Sequence, residues 1–160
     1  MIIIFTDGSY DSKYNLGYWV SILYFNYNKQ ITLSGKERNV KINSLELISV
    51  IESIKHLKDN YPDEKEVKII TDSQYVFEMP NRLPLLIQSN FMTSKGTEFP
   101  NINLLKEFYN LLKSDIKINF EKVKAHQKTD KGFESHFNRM VDKKARKLLR
   151  INRETLKDIL

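Results

Sequence analysis

The apolar positions change their period along the chain, and each change marks an element. Ile2 to Asp7 reads as a buried strand, and Gly17 to Phe25 and Gln30 to Arg38 read as two more, parted by a turn at Asn26 to Lys29. These three predict a β-meander. From Asn43 the period becomes helical: Leu47, Val50, Ile51, Ile54 and Leu57 recur at helix spacing as far as Asn60, and Pro62 closes the segment. Val67 to Thr71 is a short β-branched strand. A helix is predicted from Ser73, interrupted by Pro80 and Pro84. Ser89 to Pro100 reads as a loop, the one candidate for a protruding or mobile segment, and Ile102 to Leu112 as a helix. Ile116 to Val123 is a strand with Ile116, Ile118 and Phe120 facing inward. After a long polar loop, Phe137 to Leu149 forms a helix whose Met140, Val141, Leu148 and Lys144 stem face the core, and Asn152 to Leu160 adds a short last helix. The order predicts an α/β fold with a mixed sheet in one domain, without repeats, low-complexity tracts or linkers.

Composition narrows the chemistry. The chain has 160 residues with 41% hydrophobic, enough for a core without staples, and no cysteine. A thiolate metal site and a disulfide framework are both excluded, so any metal is held by oxygen or imidazole, which favours Mg²⁺ or Mn²⁺. The apolar run from Met1 to Phe5 is too short for a signal peptide or a membrane span, and a cytoplasmic protein is expected. Net charge is +6, unevenly spread: Lys117 to Arg153 holds 12 Lys/Arg against 4 Asp/Glu, so the rest of the chain is slightly acidic. Such a basic C-terminal region suits a polyanion such as nucleic acid, or is simply a solvated lysine-rich helix face.

Four acids stand apart from the other carboxylates. Asp7 and Asp72 each follow a run of buried residues, so the two lie together if their strands are neighbours. Glu46 heads the row Glu46, Val50, Ile54, Leu57, the apolar stripe of the first helix, and Asp142 shares a row with Ala145 and Leu149 on the last. Acids directed inward repel one another and resist ionising unless cations sit among them. Two divalent ions about 3.5–4 Å apart solve that problem and are a known arrangement for phosphodiester hydrolysis. Each acid alone also has a plainer reading, as a turn or cap residue for the aspartates and as a snorkelling edge residue for Glu46 and Asp142.

In combination, the segments resemble type 1 ribonuclease H from Ile2 to about Leu149. The family's first aspartate stands in Asp-Gly-Ser, here Asp7 to Ser9. Its glutamate opens the first helix, here within Asn43 to Leu47. Its second aspartate lies in Thr-Asp-Ser-Gln-Tyr-Val, here Thr71 to Val76 unchanged. Its Val-Lys-x-His is here Val123 to His126, and its last aspartate follows an asparagine on the final helix, here Asn138 and Asp142. The resemblance implies a mixed five-stranded sheet, an antiparallel meander plus two parallel strands, flanked by helices. It implies a catalytic domain over residues 1–150 and a helical extension over 151–160. It further implies an endonuclease that cuts the RNA strand of RNA/DNA hybrids by a two-metal mechanism with Mg²⁺, or Mn²⁺ in its place, leaving 5′-phosphate and 3′-hydroxyl ends. Asp7, Glu46, Asp72 and Asp142 match the metal ligands, and His126 the loop histidine that assists proton transfer or product release. Asn43, Ser44 and Gln74 match positions that read 2′-hydroxyls, and Asn101 an asparagine that touches a DNA phosphate. Asn43 and Asn101 also precede helical runs and would serve as caps.

This chain departs from the family in several places. Its first turn keeps only Gly17 of the usual glycines, and Lys41 and Ile42 replace threonine and asparagine, which makes Lys41 a phosphate contact. Residues 73–100, basic in many cellular relatives, carry Arg82 and Lys95 against Glu78 and Glu98 and are neutral. Junction resolvases and integrases share the acid-rich fold, and a non-catalytic hybrid-binding module is a further alternative. The unchanged motif at Thr71 and His126 argue against the first, and the four retained acids against the second. A monomer is expected.

Overall fold

The structure, a computed structural model, describes residues 1–124 and 132–159. Strands β1 (Ile2–Asp11), β2 (Leu16–Asn26) and β3 (Lys29–Arg38) form the expected antiparallel meander. β1 outlasts its apolar run, because its backbone goes on pairing with β2 as far as Asp11 opposite Leu16. Asp7 therefore stands within a strand, opposite Val20, and not at a strand end. The other edge of β1 pairs in parallel with β4 (Glu66–Thr71), and β4 in parallel with β5 (Lys117–Lys122), giving the order β3-β2-β1-β4-β5.

Strand alternation divides the interior into two layers. Ile2, Ile4, Val67 and Ile69 point to the layer covered by α1 (Ile42–Asn60), α2 (Gln74–Gln88) and α3 (Ile102–Leu112). Phe5, Val20, Ile22 and Ile70 point to the other, covered by α4 (Phe133–Ile159) alone. Each fully buried large side chain contributes about 1.5–3 kcal/mol to holding these layers together. As expected from β5, Ile116 is buried and Ile118 and Phe120 pack against the first layer.

Three helical expectations are corrected. α2 runs unbroken through Pro80 and Pro84. Pro84 is exposed and Pro80 half-buried, off the packed face, and buried Val76, Met79, Leu83 and Leu86 hold the helix down despite the lost hydrogen bonds. α4 is one helix of 27 residues that starts before Phe137 and absorbs the separate last helix, since nothing between Leu149 and Asn152 breaks the helical pattern. Its buried stripe is Phe137, Asn138, Val141, Ala145 and Leu149, with Met140 and Leu148 half-buried, so Lys144 turns to solvent. The segment 89–100 is a loop, but a pinned one: Phe91 is buried, its carbonyl accepts from the Phe99 N–H at 2.7 Å, and Met92 bridges to Glu98.

Candidate active site

Register brings the first two acids together. Thr6 pairs with Thr71 at the last step of the parallel β1–β4 ladder, so Asp7 and Asp72 are the next residues on adjacent strands, side by side where β4 ends. The turn after β4 is fixed by its own hydroxyls. Thr71 Oγ1 accepts the Ser73 N–H at 3.0 Å, and Ser73 Oγ accepts the Val76 N–H at 3.2 Å as the N-cap of α2.

Glu46 reaches the same place from α1, and Gly8 lets it. A Cβ at Gly8 would lie 3.1 Å from Leu45 Cβ and 3.7 Å from the Glu46 carboxyl carbon, so a side chain there would require the first turn of α1 to give by a few tenths of an ångström. Gly17, the remaining glycine of the first turn, does related work: a Cβ there would collide with the Leu45 side chain. Asp7, Glu46 and Asp72 each offer an oxygen within 4.8 Å of the others'. Asp142, whose carboxyl is mostly covered, comes from α4 to line the same cleft of about 360 Å³.

The electrostatics of the cluster follow from burial. Burial pushes the Asp7 carboxyl up to about 7 from 3.8, with the charges of Asp72 and Asp142 adding to the shift and the Gly8 N–H, 2.8 Å from Oδ1, opposing it. Glu46 is pushed well above its ordinary 4.5, first by burial and then by Asp7, with which it shares a hydrogen bond. Its Oε2 is buried with no hydrogen-bond partner among the described residues. An acid cluster that holds protons at neutral pH, with one buried oxygen unsatisfied, lacks positive charge. Its donors are all hard carboxylate oxygens, the set that suits Mg²⁺ or Mn²⁺.

Comparison with known proteins agrees with this arrangement. The family model described as RNase H matches residues 1–150. The chain belongs to the RNase H family. A ribonuclease H of Caldicellulosiruptor saccharolyticus is 33% identical over 151 residues, covering 93% of this chain and 96% of the relative. A ribonuclease H of Wolbachia pipientis is 33% identical over 153 residues, covering 92% and 94%. Among solved structures, the solution structure of the PFV RNase H domain superposes with a TM-score of 0.71 at 25% identity, covering 91% of this chain and 92% of that one. The five-stranded mixed sheet with its helices is the RNase H-like fold, and the chain is a ribonuclease H enzyme.

The remaining predicted RNase H residues fall in two places. Asn43 and Gln74 are exposed on the walls of the acid cleft, Gln74 within hydrogen-bond reach of Glu78. Lys41, Asn43, Ser44 and Asn101 line a second cavity of about 560 Å³ beside it, together with Tyr75 and Arg82. The cap readings are corrected. Lys41, not Asn43, stands at the N-cap of α1. Asn101 is the N-cap residue of α3 but makes no side-chain cap; it sits in the left-handed region at φ 65°, and its side chain accepts from Ser44 Oγ at 2.7 Å. His126 lies outside the described residues. His136 is exposed on α4. Sequence reading missed Arg146, whose guanidinium donates to Asp142 Oδ2 at 2.6 Å; the four-residue spacing on a helix was the available signal.

Proposed function

We propose that this ribonuclease H is an endonuclease hydrolysing the RNA strand of RNA/DNA hybrids, with two Mg²⁺ ions, or Mn²⁺, held by Asp7, Glu46, Asp72 and Asp142. The observation that carries the reading is the triad of mutually close carboxylates with its unsatisfied Glu46 oxygen. Bound divalent cations supply a water of lowered pKa and stabilise charge on the phosphate and leaving oxygen. The protein's own share is positional. The β1–β4 register and the Thr71–Ser73 turn fix two ligands, and the bare backbone at Gly8 admits the third. Attack of water at phosphorus with cleavage of the bond to the 3′-oxygen, which leaves and takes up a proton, gives 5′-phosphate and 3′-hydroxyl ends.

Substrate selection in this reading falls to the neighbouring polar residues. Asn43, Ser44 and Gln74 meet the RNA strand's 2′-hydroxyls and Asn101 a phosphate of the DNA strand, with Lys41 adding a phosphate contact. Support comes from their grouping: all five border the acid cleft or the cavity next to it. His126 assists proton transfer or product release. Residues 1–150 form the catalytic unit and the rest of α4 an extension of it. Among the described residues no helix is long and apolar enough to cross a membrane, and the enzyme is taken to act as a cytoplasmic monomer.

The test is incubation with labelled RNA/DNA hybrid, duplex RNA, duplex DNA and a four-way junction in Mg²⁺, beside an Asp72→Asn variant. The expected result is cleavage of the hybrid's RNA strand alone, lost at least about a hundredfold in the variant. Junction cutting without hybrid cleavage would favour a resolvase, and hybrid binding without cutting a non-catalytic module.

A further inference from the structure

A groove larger than the acid cleft is not at the carboxylates. It lies beside them, about 630 Å³ in volume, between the C-terminal end of β1 at Ser9 and Tyr10 and the exposed face of α4. Its α4 wall is cationic: Lys143, Arg146, Lys147, Arg150 and Arg153. Three of these follow Asp142 in one row, since steps of four, four and three residues keep Asp142, Arg146, Arg150 and Arg153 on one helix face. At about 1.5 Å per residue the row carries positive charge roughly 16 Å away from the acid cleft.

The cations of this groove are poorly neutralised from within. Among the described residues, Lys143, Lys147 and Arg150 have no acidic side chain at ion-pair distance. Arg153 pairs with Asp11 at 3.3 Å, yet its Nε is buried without a partner. Arg146 donates to Asp142, so the first cation of the row touches the fourth carboxylate of the cleft. Three of the five cations on this wall thus lack an acidic partner among the described residues, which suits the wall to an external polyanion. The segment 73–100 on the other flank of the cleft is neutral, so the concentrated positive charge of this molecule lies on the α4 side.

We propose that this groove is a phosphate-backbone track: the nucleic-acid strand lying in the acid cleft continues along α4, its phosphodiesters held by Arg146, Lys147, Arg150 and Arg153. The path of the strand rests on the function proposed above, whereas the track's affinity for a polyanionic backbone does not. Arg146 is then the junction between the two sites, bound to Asp142 at rest and adjacent to the first phosphate beyond the cut.

The test compares the wild type with a Lys147→Ala/Arg150→Ala double variant and a charge-matched Lys113→Ala/Lys117→Ala control. Lys117 opens the β4–β5 ladder at the end of the sheet opposite Asp72. Hybrid binding is measured by fluorescence anisotropy in EDTA across a salt series, and cleavage in Mg²⁺ at saturating substrate. The groove variant is expected to bind about tenfold more weakly, with a log–log salt slope shallower by about 2, at unchanged kcat. The control pair should stay near wild type in all three. If the groove variant binds and titrates with salt like the control, the track is overturned while cleavage by the wild type leaves the nuclease reading intact. If binding falls only in the groove variant and no protein cuts, the track stands and the nuclease reading fails.

Discussion

A carboxyl group at the position of Glu46 destabilises a protein that holds no cation. It is 5% exposed, packed behind Gly8, and keeps a proton that it shares with Asp7. Glu46→Gln is accordingly expected to raise the melting temperature of the metal-free protein at neutral pH, because the amide can hydrogen-bond Asp7 without an ionisation to suppress. The same change should cut hybrid cleavage at least about a hundredfold. Thermal melts in EDTA beside a cleavage assay check both, and a variant less stable than wild type would contradict the account. The four acids were legible in the sequence because each sits where an apolar period predicts burial. The roles of Gly8 and Gly17 were not, because a glycine needed for the approach of a helix 37 or 28 positions away looks like a turn residue until the partner, Leu45, is known. Asn101 was half legible: an asparagine before a helix signals a cap, but its side chain is engaged by Ser44 instead.

At the scale of elements, α4 is responsible for a whole layer of the core. Phe137 stacks on Phe5 at 5.0 Å between ring centroids and meets Tyr24 edge-on at 5.4 Å, filling the space between the helix and the central strand. Phe137→Ala should cost about 3–5 kcal/mol, read as a lowered urea midpoint. Because Asp142 hangs from the same helix, activity should become heat-labile in this variant at temperatures the wild type tolerates. Strand and helix identities were readable from period alone wherever one face is buried and the other wet. The errors came where a local rule met tertiary contacts: two prolines did not break α2, and the polar stretch after Leu149 did not end α4, which Arg153 ties to Asp11 and whose Leu156 packs against the cluster of Leu16, Tyr18 and Leu149. The β1 boundary was missed because its last residues pair with β2 without carrying an apolar alternation.

For the molecule as a whole, the acid cluster links metal, pH and stability. The folded protein holds the Asp7 proton up to about 7, whereas the unfolded chain releases it near 3.8. Between those values the folded state binds more protons, so the metal-free protein loses stability as pH rises through that window. Divalent ions held as proposed would bind the ionised carboxylates and reverse this. The rise in Tm on adding Mg²⁺ should therefore be larger at pH 8 than at pH 5; equal rises at the two values would mean that the cluster does not bind the ion as a carboxylate site. Charge segregation was visible in composition, since the basic excess lies between Lys117 and Arg153. Its concentration into one groove was not, because it depends on which face of α4 the core takes.

The parallel pairing of β1 with β4 also has a temporal consequence. Asp7 and Asp72 become neighbours only when strands more than sixty residues apart in the chain have zipped together, and Asp142 joins later still, from α4. Non-local pairings of this kind are slow steps in folding, and chains grow from the N-terminus at about 5–20 residues per second. A ribosome-bound fragment that has exposed the meander and α1 carries two of the four acids and cannot assemble the cleft. The cleft is therefore absent from the nascent chain until α4 has docked and brought Asp142 to the other three acids.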